Sequence, residues 1–154
     1  MMGMALSVHV WSAVIWVGGM FFAWMVLRPV AAGQLEASQR LLLWDGVLRR
    51  FFPWVFAAIA MLLATGYWMV LSYYSGFDHV GVHVHVMVWS GYAMILLFLH
   101  AFFAPFKRLK AAVAGADWPA GGRQLAQIRR LVGINLLLGL LVIAFASGGR
   151  YLSG

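Results

Sequence analysis

Four uninterrupted apolar runs, residues 5–27, 51–73, 81–106 and 131–147, constrain this chain more than anything else in it. A bilayer core takes about 20 residues of helix to cross. In lipid, backbone polar groups must be satisfied within the spanning segment, which leaves helices as the solution for single runs of this kind. The expected fold is an all-α integral membrane domain: four transmembrane helices in an up-down bundle, both termini on the outer, periplasmic side. A chain of 154 residues has no room for a second domain beside it. The first run is longer than the 7–15 residues of a signal-peptide core and has no basic residue before it, so it is expected to stay as the first helix.

Charge sets the orientation. The net charge is +7, with 11 Lys and Arg against 4 Asp and Glu. Ten of the eleven basic residues fall in the first and third loops: Arg28, Arg40, Arg49, Arg50, Lys107, Arg108, Lys110, Arg123, Arg129 and Arg130. The second loop, 74–80, has none. Basic loops stay in the cytoplasm, so this pattern places both termini and the second loop outside, in a bacterial inner membrane. The partner of the basic surface is membrane lipid rather than nucleic acid. Cysteine is absent, which excludes disulfides, thiolate metal sites and iron–sulfur clusters.

Local signals place the helix ends. Arg28-Pro29 predicts the end of the first helix. Residues 35–50 interleave Leu, Trp and Val with charge and predict an amphipathic surface helix, either continuous with the second helix or broken at Gly46. Pro53 fits the first turn of the second helix. Asp117-Trp118-Pro119 and Gly121-Gly122 predict a stop and restart before the fourth. Thr65-Gly66-Tyr67 are expected to serve helix packing, and the small-residue face from Gly133 to Gly139 is a candidate homodimer contact.

The histidines carry the chemistry. An ionisable residue inside a bilayer is a functional candidate, and His9 lies about a turn into the first span. His83 and His85 begin the third span, which runs in the same direction, so they share its outer depth. They stand about 200° apart on a helix, so only one can face the bundle centre. His85 shares a face with Trp89 and Tyr92, and His83 with Met87. On the first helix His9 aligns with Trp16, while Gly18 and Gly19 let a flat group approach the backbone. Two imidazoles at one depth among aromatic and small residues suit axial ligation of a heme b iron. His9 and His85 are the expected ligands, with Trp16, Gly19, Trp89 and Tyr92 around the ring. His79, His83 and His100 are expected at the interfaces. Copper is the rival ligand. Thioether and imidazole suit Cu(I), and His83, His85 and Met87 are the alternative set. That set chelates best if residues 79–85 are extended.

His9-x6-Trp16-x-Gly18-Gly19, with Arg28, Arg50, Pro53 and a third helix ending in a basic run, resembles the copper-resistance protein D (CopD) membrane domain. It is also similar to the related HemJ-type protoporphyrinogen oxidases. The first resemblance implies copper uptake or tolerance at the outer face. The second implies a heme b oxidase acting on protoporphyrinogen IX, with His9 as its first-helix histidine. That family's third-helix Leu-His-Ile-Lys segment lays its lysine on His85, and the third helix here has no lysine before Lys107. A bis-histidine heme favours electron transfer. The expected role is therefore redox, from a quinol donor to an outward acceptor. Copper handling and porphyrinogen oxidation are the alternatives.

Overall fold

The computed structural model describes residues 1–73, 76 and 80–148, and at His83 the backbone alone. Four helices are long and apolar enough to cross a membrane. We label them α1 (Met2–Gln34), α2 (Ala37–Tyr73), α3 (Val82–Ala101, continued by Phe102–Phe106 and Lys107–Ala114) and α4 (Trp118–Gly148). Connections of two or three residues join α1 to α2 and α3 to α4, so neighbours run antiparallel. The pairs α1–α2 and α3–α4 pack along their lengths, and α4 also lies against α1 and α2.

The helices run further than the local signals predict, and the prolines show how. The first helix does not stop at Pro29. Residues Phe22–Leu27 widen into a π-helical turn and Arg28–Gln34 continue beyond it. Pro105 is taken up in the same way, inside the π-helical turn Phe102–Phe106. A π turn re-routes the backbone bonds that proline disrupts in a regular α-helix. Pro53 sits in mid-helix rather than in a first turn, because α2 begins at Ala37 and the surface helix is its first part. Gly46 does not break it. The reason is packing: Leu41, Trp44 and Leu48 of that stretch are buried in one cluster with Leu109, Leu125 and Ile128. Burial of each such side chain is worth about 1.5–3 kcal/mol, which together outweighs a helix-interior proline at about 3 kcal/mol. Gly121 and Gly122 are likewise helical. The turn falls at Gly115–Asp117, where Asp117 Oδ1 accepts the Ala120 N–H at 2.9 Å as an N-cap.

The two ends of the bundle differ. The end holding the α1–α2 and α3–α4 turns carries the basic residues and a dense core, with Leu109 fully buried. Above it, Phe52 meets Phe98, Phe102 and Phe106 edge-on at 4.7–5.8 Å. The opposite end, which holds His9, is loosely filled. Among the described residues of 2–12, 60–73, 82–93 and 140–148, only Ser12 and Val70 are buried.

The glycines of α4 are used inside the chain. A Cβ at Gly133 would meet the Trp24 ring at 2.8 Å, and one at Gly139 would meet Val17 at 2.8 Å and Met94 at 3.2 Å. The close approach that suggested a dimer face is therefore made by α1 and α3. Gly139→Val should lower stability by about 1–3 kcal/mol through overpacking, seen as a lower melting midpoint in detergent. Gly46→Ala, with nothing within 4 Å of the added carbon, should leave the midpoint unchanged or raise it.

Candidate functional site

His9 projects from α1 onto α2. Its Nδ1 lies 2.8 Å from Thr65 Oγ1. The Thr65 hydroxyl in turn donates to the Met61 carbonyl one turn back, at 2.5 Å. A hydroxyl has one proton. When that proton goes to Met61, Thr65 Oγ1 accepts from the ring and Nδ1 carries the imidazole N–H, which gives Nε2 the lone pair. The Leu62 carbonyl is a backbone partner beside the same ring. Metal-binding histidines are oriented in this manner, the second nitrogen fixed by a hydrogen bond behind the ligand.

Gly66 makes the arrangement possible, since a Cβ there would stand 3.3 Å from His9 Cε1. Ser12 is buried one turn along α1, but its hydroxyl donates to the Val8 carbonyl at 2.8 Å and does not compete for the ring. The half-buried residues of α2 around Thr65 are Leu62, Gly66 and Met69, which share the face turned to α1. Met69 is one turn beyond Thr65, toward the open end. On α1, Met2 is half-buried two turns before His9 on the same face. Helical periodicity thus puts Met69 on the Thr65 face of α2 and Met2 on the His9 face of α1.

The other expected site residues are distributed more widely. Trp16 is buried and meets Phe98 of α3 edge-on at 6.2 Å, in the core below the open end. The flat group against Gly19 is the ring of Phe51. Tyr92 of α3 shares a hydroxyl hydrogen bond with Tyr67 of α2, and lies 6.2 Å from the Trp89 ring, which is 71% exposed. His85 is exposed, and its Nδ1 faces the Gly81 carbonyl of its own first turn at 3.4 Å. Met87 is half-buried, and His100 is exposed at the other end of α3. His79 and the His83 side chain lie outside the described residues.

The structure therefore brings His9 together with Thr65 and Gly66, and Tyr92 with Tyr67 and Trp89. No hydrogen bond or shared partner joins His85 to His9 among the described residues: the His9 ring meets Thr65 of α2, and His85 Nδ1 faces the Gly81 carbonyl. The backbone is helical from Val82, so residues 82–85 do not have the extended conformation that the chelate needs. Among the described residues no three His, Cys, Asp or Glu side chains converge as a metal cluster. Sequence reasoning assigned Thr65 to packing and passed over Met69. The available signal was depth, since Thr65 stands about as far from the end of α2 as His9 does from the start of α1.

A family model described as copper resistance protein D matches residues 45–148, about two thirds of the chain. The chain belongs to the CopD family. The matched stretch of this CopD-family protein holds α3, α4 and most of α2, including Thr65, Gly66 and Met69, whereas α1 and His9 precede it. No curated protein and no solved structure matches.

Thr65→Val removes the acceptor behind His9 while keeping the side-chain shape. In nitrogen-15 NMR of histidine-labelled protein, the wild-type His9 resonances should show a single Nδ1–H tautomer. In the variant that preference should be lost. Thr65→Ser should retain it.

Proposed function

We propose that this CopD-family protein handles copper as cargo at the open end of the bundle, with His9 Nε2 as the anchoring ligand. The observation that carries the reading is the proton arrangement behind the ring: Nδ1–H to Thr65, and Thr65 to the Met61 carbonyl. It leaves one neutral imidazole nitrogen ready to coordinate. The family description supplies the metal.

Ligand chemistry narrows the oxidation state. The chain has no cysteine, and the groups along the α1–α2 seam are neutral imidazole and thioether. These soft and borderline donors suit Cu(I). Met69 and Met2 sit on either side of the seam toward the open end, where an ion entering from that side meets a thioether before the imidazole. The distribution of basic residues supports turning that end outward. A bound monocation with neutral ligands keeps its charge. Such an ion is costly at mid-bilayer, and less so about two turns from a helix end.

The free Nε2 also supports a second reading, a heme b held axially by His9, with redox or porphyrinogen oxidase chemistry. That reading rests on His9 alone, since His85 is turned to its own helix. As residues present, His9 and His85 do not fit a bis-histidine heme.

Detergent-purified protein, assayed by metal analysis and absorption spectroscopy, separates these readings. For copper, wild type exposed to Cu(I) should retain about one ion per chain. His9→Ala should cut retention tenfold or more, and Thr65→Val by a smaller factor within the 10–100-fold typical of lost orienting bonds. For heme, the protein should purify with a Soret band that His9→Ala abolishes. Copper that survives His9→Ala but is lost with His83→Ala, His85→Ala and Met87→Leu would move the cargo site to the start of α3 and overturn the proposal. Wild type that holds no copper would overturn it as well.

A further inference from the structure

The end of the bundle opposite His9 holds three guanidinium groups that copper handling does not use. Arg28 at the end of α1, Arg40 in the first turn of α2 and Arg129 of α4 are all partly buried. Arg129 is close enough to feel the charge of both others. Like charges gathered at one place repel, and none of the three is paired. Among the described residues the one ion pair is Arg49–Asp45, at 2.8 Å. The Arg28 guanidinium instead lies over the Trp24 ring, 4.4 Å from its centre, and Trp24 is pressed against Gly133.

Below these arginines is a cleft of about 30 Å³ between α1, α2 and α4. Trp24, Trp44 and Phe51 wall it, together with the apolar stems of Arg28 and Arg129. Apolar walls below and clustered guanidiniums above are the chemistry of an anionic amphiphile. Guanidinium forks match phosphate oxygens in pairs. A phosphodiester placed among the three would relieve their repulsion, and the first methylenes of its acyl chain would lie along the tryptophans.

We propose that this is a specific site for one anionic phospholipid of the leaflet at the basic end, its phosphate held by Arg28, Arg40 and Arg129 and its chain lying over the mouth of the cleft. The site is independent of the copper reading. It lies at the other end of the bundle, so either can fail without the other.

The test uses the full chain in detergent, titrated with phosphatidylglycerol, phosphatidylcholine or inorganic phosphate. Native mass spectrometry counts bound lipid, and thermal melting follows stability. Wild type should retain one phosphatidylglycerol with at least tenfold preference over phosphatidylcholine, and phosphatidylglycerol should raise its melting midpoint. R28Q/R129Q should lose both effects. R123Q/R130Q, which removes the same charge from exposed positions of the same end, should keep both. Without lipid, R28Q/R129Q relieves repulsion but loses the Arg28–Trp24 contact, so the lipid effect is read as the shift in midpoint that lipid gives to each variant. Equal loss in the two double variants would mean a diffuse charged surface and would overturn the site. So would retention by R28Q/R129Q, or stabilisation by inorganic phosphate equal to that by the lipid.

Discussion

A single hydrogen bond, from the His9 imidazole to the Thr65 hydroxyl, decides what the open end of this bundle can do. Its contribution to stability is small, about 0.6 kcal/mol for an average bond between helices in a membrane. Its consequence for chemistry is larger. With the Thr65 proton given to the Met61 carbonyl, the ring is the donor, and Nε2 keeps its lone pair before any ligand arrives. Coordination through Nε2 then requires no proton release and no rotation of the ring. Gly66 belongs to the same device, since an added Cβ would stand 3.3 Å from His9 Cε1 and crowd the ring.

The rest of the fold keeps that device in place while leaving its surroundings loose. Rigidity comes from the basic end, where Leu41, Trp44, Leu48, Leu109, Leu125 and Ile128 close a core. The edge-on phenylalanines next to it lock α2 against α3. Helices anchored at one end can diverge or adjust at the other with little loss of packing, because few side chains there are buried. An ion site in such a region can be entered. One inside the phenylalanine layer could not, since the side chains fill the space.

Much of this was legible in the residues. Four apolar runs predict four helices, and the bundle has four. That His9 would need a partner inside the bundle was legible from its cost in lipid. The amphipathic stretch before Pro53 was visible as a helix, and its continuity with α2 was one of two readings left open, because proline and glycine mark breaks locally and only tertiary burial overrules them. The extension past Pro29 was hidden for a similar reason, since no local signal distinguishes a π turn from a helix end. The side-chain partner of His9 was the principal loss. Depth alone pointed to the third helix, where other histidines lie. Which neighbour a helix faces depends on rotation, and rotation here is set by small residues such as Gly66, Gly133 and Gly139 that sequence reasoning assigned to other contacts.

X-ray absorption at the copper edge of Cu(I)-loaded protein examines the claim most directly, because it reports the donor atoms. Wild type should show one imidazole nitrogen with sulfur in the first coordination shell. His9→Ala should lose the nitrogen, and Met69→Leu should lose sulfur. A shell of nitrogen or oxygen donors alone, unchanged by His9→Ala, would contradict the account.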